Sequence, residues 1–183
     1  MRTMTLFETG DSDGSVSLRE LMLGKLEMSE KRDVELEQLV DFVVRGGWPA
    51  AMGVDPEDYG LIPREYIESA IEDACRLDGK QRDREKMTML IKSLSRNEST
   101  VVSNETVKND MRSYDDESIS NDTYYDYSDC LDRIHLLEDT PSFKANFRSN
   151  VRIGKKPKRH LTDVSLAVAA LGLNHKKLMG DLN

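Results

Sequence analysis

Seven cations, Lys144, Arg148, Arg152, Lys155, Lys156, Lys158 and Arg159, fall within sixteen residues with no acid among them. Carried on a strand or hairpin loop, such a run can hold backbone phosphates without reading bases. It can equally stay solvated or dock on an acidic part of the same protein or of a partner. Other segments offer less chemistry. Gly10-Asp11-Ser12-Asp13-Gly14-Ser15 has the glycines of a phosphate loop, but two carboxylates stand where a Lys is needed, so it reads as a turn. Gly46-Gly47-Trp48-Pro49 could turn its amides into a nest; a helix stop with Trp48 packed as an anchor is the more ordinary role. Tyr124, Tyr125 and Tyr127 could stack on bases, although helical spacing buries at least Tyr127. His135, His160 and His175 lack the spacing of a metal pair, and no Ser or Cys sits in a nucleophile turn. These residues give no catalytic set and no metal site.

The elements that must position these residues are mostly helical. Ser17-Leu18-Arg19-Glu20 has the spacing of a capping box, opening a short helix that presents Leu18, Leu21, Met22 and Leu26. Leu36, Leu39, Val40 and Val43 recur as one buried stripe over residues 33–44, ended by Gly46-Gly47. Ile67, Ala70, Ile71 and Ala74 share a face of the next helix, with Asp78-Gly79 as its exit. Met87, Leu90, Ile91 and Leu94 mark a further helix. Asn104 can cap a short one with Val107 and Met111, and Ser118 a longer one with Ile119, Thr123, Tyr127, Leu131 and Ile134. Three helices, then Leu136-Leu137 and a turn at Thr140-Pro141-Ser142, suggest a winged helix-turn-helix. Val151-Arg152-Ile153 and Arg159-His160-Leu161-Thr162 can supply short strands, and Asp163 can cap an Ala-rich turn or helix.

Charge divides the chain. After residue 143, nine Lys or Arg and two Asp give +7, against −15 before it, for a total of −8 over 183 residues. The sign change suggests a junction there. The third helix of the three carries Asp122, Asp126, Asp129 and Asp132 against Arg133, a face that DNA would repel. Cys75 and Cys130 are too few for a disulfide framework and read as reduced, buried thiols. No run approaches a membrane span, and Glu8, Asp11 and Asp13 argue against a cleavable leader, so the expected location is cytoplasmic.

Several segments, in order, carry a resemblance: Arg2-Thr3-Met4-Thr5-Leu6-Phe7-Glu8-Thr9-Gly10-Asp11-Ser12, Val44-Arg45-Gly46-Gly47-Trp48-Pro49, the stretch from Asp126-Tyr127 to Leu131-Asp132-Arg133-Ile134, and Lys156-Pro157-Lys158-Arg159-His160-Leu161-Thr162-Asp163. The chain resembles the C-terminal part of bacterial and archaeal P-loop ATPases of the AAA superfamily that carry a C-terminal domain of unknown function, with a winged helix and a restriction-endonuclease-like fold. His160 stands where that family usually has an aromatic. The resemblance implies a mainly α fold with a small α+β part: the end of an ATPase core over 1–16, a helical lid or connector over 17–82, a winged helix-turn-helix over 83–143, and a basic wing with the start of an incomplete nuclease-like element over 144–183. It implies ATP and magnesium for the full-length family only, none for this chain, and makes Arg2 a candidate for presenting charge to a bound nucleotide. The expected function is a truncated regulatory or interaction fragment whose partner is the upstream ATPase core or another protein. The alternatives are a DNA-binding module using the basic tail on phosphates and a protein-interaction adaptor.

Overall fold

A computed structural model describes residues 2–25, 34–112, 119–141 and 156–181. These residues form eight α-helices: α1 (Leu18–Met22), α2 (Leu36–Arg45), α3 (Leu61–Arg76), α4 (Arg84–Arg96), α5 (Asn104–Arg112), α6 (Asn121–Arg133), α7 (Val164–Ala170) and α8 (His175–Asp181). The mainly helical expectation holds.

The main core is built from the faces that the spacing marks. Ile67, Ala70, Ile71 and Ala74 of α3 meet Met87, Leu90, Ile91 and Leu94 of α4, with Val107, Met111, Tyr127 and Leu131 closing it from α5 and α6. Each such aliphatic side chain contributes about 1.5–3 kcal/mol by leaving water. Asp83 starts α4 by accepting hydrogen bonds from the amides of Glu85 (2.8 Å) and Lys86 (3.1 Å), while its own amide donates to Tyr127 Oη at 2.8 Å. Asp83→Ala should cost about 1 kcal/mol in a urea melt, the usual worth of a lost cap.

Two caps fall beside the residues expected. Ser103, not Asn104, receives the Thr106 amide at the head of α5, and Ser120 receives the Thr123 amide at the head of α6. Ser118 lies outside the described residues, as do Leu26, Asp33 and Val151-Arg152-Ile153. Each cap used lies four residues ahead of the first buried apolar side chain of its helix, Val107 in α5 and Tyr124 in α6, so packing decides which of the nearby polar residues caps.

The expected buried stripe of α2 is a correction. Val40 and Val44 are buried, but Leu36 and Leu39 are about half exposed, at 47% and 51%. The helix is amphipathic, yet α7 and α8 cover only its Val40/Val44 side. Leu18, Leu21 and Met22 of α1 are exposed as well.

Beyond α6 the chain runs antiparallel to residues 158–162: Glu138 N donates to His160 O (2.9 Å), Thr140 and Lys158 exchange bonds (2.8 and 2.9 Å), and Thr162 N donates to Leu136 O (3.0 Å). Arg159 pairs on its other side with Ser99 and Thr100 through bonds of 2.8 and 2.9 Å. Three short extended segments thus join the loop after α4 to the chain on both sides of residues 141–157.

The change of charge near residue 143 does not coincide with a break in packing. Helix α7 lies beyond it, and packs against α4, α3 and α2, with Leu166 fully buried.

Candidate functional site

Three of the four segments that carry the resemblance converge on one place, the Gly46-Gly47-Trp48 turn. Gly46 ends α2 with φ of 66°, and its amide returns to Phe42 O at 2.9 Å. Met4 N donates to Gly47 O at 2.7 Å, and Asp11 pairs with the largely buried guanidinium of Arg45. From the other side, Asp163 Oδ2 accepts the Gly47 amide at 2.9 Å, while its Oδ1 accepts the Ser165 amide (2.9 Å) and hydroxyl (2.6 Å). Trp48 Nε1 then donates to Ser165 Oγ at 2.8 Å, and the indole packs on Tyr66 with ring centroids 4.6 Å apart.

Both glycines are required by this closeness. A β-carbon on Gly47 would lie 2.8 Å from Met4 N and 2.9 Å from its carbonyl carbon; one on Gly46 would lie 2.9 Å from Ser165 Cβ and closer still to the Asp163 carboxylate. The turn therefore joins residues 2–12, the end of α2 and the start of α7. Asp163 caps α7, as the sequence allows, and also holds Gly47, a second task that no local spacing signals. Asp163 and Ser165 bind each other as well as the Gly47 amide and the Trp48 indole, and the cluster fastens the turn to the start of α7.

The fourth segment is fastened separately. Arg82, whose side chain is only 4% exposed, donates from Nε to Asp126 Oδ2 at 2.7 Å and from Nη1 to the carbonyls of Ala74 and Leu77, each at 3.1 Å. Lys80 also pairs with Asp126, and Arg133 pairs with Asp78. The Arg82 guanidinium, and after it Lys80, hold the Asp126 carboxyl below its ordinary value; Arg133 does the same for Asp78. Two charged positions of α6 are thus spent on the loop between α3 and α4. Asp122, Asp129 and Asp132 stay exposed.

Of the seven cations singled out, Lys144, Arg148, Arg152 and Lys155 lie outside the described residues, and Lys156 and Lys158 are exposed. Arg159 is not swung out into solvent as its place in a basic run suggests. Its guanidinium turns inward to pair with Asp139 and to donate to Asn104 Oδ1, its side chain 16% exposed. Arg2 pairs with Glu138 on the surface. Tyr124 and Tyr127 are buried, which pushes both phenols upward, whereas Tyr125 is 57% exposed. Lys108, not singled out by the sequence, is buried to a tenth of its exposure, paired with Glu105 and donating to Asn121.

The histidines are dispersed. His160 Nδ1 meets Glu98 at 2.9 Å, and His175 Nδ1 meets Asp41 at 2.7 Å. Among the described residues no group of three His, Cys, Asp or Glu could hold a metal ion. Cys75 and Cys130 are free and buried, and burial raises both thiols. Gly10–Ser15 does not fit a triphosphate, since Asp11 is committed to Arg45 and Asp13 adds a second negative charge. No described helix is long and apolar enough to cross a membrane.

No curated protein and no solved structure matches the chain. Residues 36–177, well over half of it, match the family described as a domain of unknown function, DUF8612, and the chain belongs to that family.

Proposed function

We propose that this chain is a regulatory and interaction module, the C-terminal part of an AAA-type ATPase, with no catalysis of its own. The observation that carries the reading is the Gly46-Gly47 fastening: residues 2–12, which resemble the end of the ATPase core, are hydrogen-bonded through Met4 and Asp11 to α2 and, through Gly47 and Asp163, to α7. A displacement of that segment would be passed to the helical body without a slack linker. Residues 83–143 act as a winged helix-turn-helix, a reading supported by the order α4, α5, α6 and the antiparallel bonds between 136–140 and 158–162. Residues 163–181 then belong to the start of the nuclease-like part.

The half-exposed Leu36 and Leu39, with Leu18, Leu21, Met22 and Leu23 of the α1 region, suit an apolar seat for the core. Duplex DNA is a poor partner for α6, whose exposed Asp122, Asp129 and Asp132 would face phosphates.

The test is the intact mass of the gene product isolated from its own cells, followed by an ATPase assay. The reading expects a species well above 20.8 kDa that turns over ATP, and no turnover by the 183-residue chain. A native species of 20.8 kDa, or hydrolysis by the chain alone that survives every purification step, would overturn it.

A further inference from the structure

A cleft of about 630 Å³ opens between the first turn of α5, the first turns of α6 and residues 156–159. Three cations line it, Lys108, Lys156 and Arg159; Glu105 pairs with the first and Asp139, just behind the lining, with the last. The cleft lies where the acidic and basic parts of the chain meet, Lys156 and Arg159 coming from the basic side. Two of the cations are held in fixed directions: Lys108 by Asn121 (2.6 Å) and Glu105, and Arg159 by Asp139 and Asn104. Arg159 keeps its Nε buried without a hydrogen-bond partner among the described residues. Lys156 is exposed at the opening.

Tyr125 also lines the cleft. It is the exposed one of the three tyrosines of α6, and its ring is steadied by the buried Tyr124, edge to face at 5.5 Å between centroids. An exposed, oriented aromatic beside fixed cations matches the two halves of a nucleotide unit, a base to stack and a phosphate to neutralise. Stacking requires an unpaired base.

We propose that this cleft binds a single strand of nucleic acid, with a base stacked on Tyr125 and the adjoining phosphate held chiefly by Lys156, beside the ion-paired Lys108 and Arg159. A single strand lying at the head of α6 passes Asp122 but is slim enough to avoid Asp129 and Asp132 farther along it; a duplex is not. The site goes beyond the ATPase-module reading and stands if that reading fails, because the 183-residue chain is itself the binding species.

The experiment is fluorescence anisotropy of the full chain with a labelled oligothymidine of about ten nucleotides, within the usual footprint of one small binding domain. The expected result is binding that Tyr125→Ala weakens by about tenfold or more, Tyr125→Phe preserves, and duplex of the same length does not match. Lys156→Ala should weaken binding and reduce the slope of log affinity against log salt by about 0.7. Tyr125 and Lys156 are surface residues, and unchanged circular dichroism would certify folding. Absence of binding at low salt, equal affinity for duplex, indifference to Tyr125→Ala, or displacement by inorganic phosphate or polyglutamate as readily as by unlabelled oligothymidine would overturn the proposal.

Discussion

Gly46→Ala should unfold at a markedly lower urea concentration than the parent chain, with a loss of about 2–4 kcal/mol. Two costs add. A side chain at φ of 66° and ψ of −168°, a region open essentially to glycine alone, carries about 1–3 kcal/mol of backbone strain, and the new methyl must displace Ser165 and the Asp163 carboxylate. Displacing Asp163 strands the buried Gly47 and Ser165 amides, and an unsatisfied buried polar group costs about 1–3 kcal/mol. Gly53→Ala supplies the control. Its φ of 79° is also positive, but nothing lies within 4 Å of a β-carbon there. It should therefore lose only about 1 kcal/mol. Equal losses in the two variants would mean that the fastening contributes nothing to stability.

Arg82→Ala should cost about 2–4 kcal/mol, which for a chain of this length lowers the melting temperature by roughly 5–15 °C. The guanidinium is almost fully buried, and its removal leaves the Ala74 and Leu77 carbonyls and the Asp126 carboxylate short of donors, loosening α3, α4 and α6 together. Lys80 still reaches Asp126 and softens the loss. The pair also gives stability a dependence on pH. Asp126 has a folded pKa below its unfolded value, so the stability it supplies is fully present above about pH 4 and drains away as pH falls through the lower folded value. Asp126→Asn should remove that part of the acid sensitivity, visible as a shallower decline of the urea midpoint between neutral pH and pH 3. Because Asp126 is a third exposed, solvent screening keeps this smaller than the Arg82 effect.

Much of the helical scaffold is legible in the sequence because its signals are local. The stripes at Ile67, Ala70, Ile71, Ala74 and at Met87, Leu90, Ile91, Leu94 need only the 3.6-residue period, and Gly46 and Asp163 end and begin helices by rules that act over a few residues. Leu36 and Leu39 keep the same period as Val40, yet which side of α2 is covered depends on α7 and α8, more than 120 residues later. The charges follow the same division. A cation in a basic run looks free, but Arg159 is drawn inward by Asp139 and Asn104, which only the antiparallel pairing of 136–140 with 158–162 brings beside it. Arg82 and Lys108 carry no local mark at all; their partners Asp126 and Asn121 lie 44 and 13 residues away. The convergence of Met4, Gly47 and Asp163 belongs to the same class, visible as three separate motifs and joined only by the fold.

That convergence is the claim most worth measuring, and native-state hydrogen exchange reads it at the two amides concerned. The Met4 amide donates to Gly47 O, and the Gly47 amide donates to Asp163 Oδ2. If residues 2–12 are fastened to the helical body as one cooperative unit, both amides should exchange with the opening free energy of the α3 and α4 core amides, and both should lose protection together in Gly46→Ala. Exchange of Met4 at the rate of an unprotected peptide, while the core stays closed, would contradict the account: the segment would be a loose terminus, and nothing that moved it could be felt by the rest of the chain.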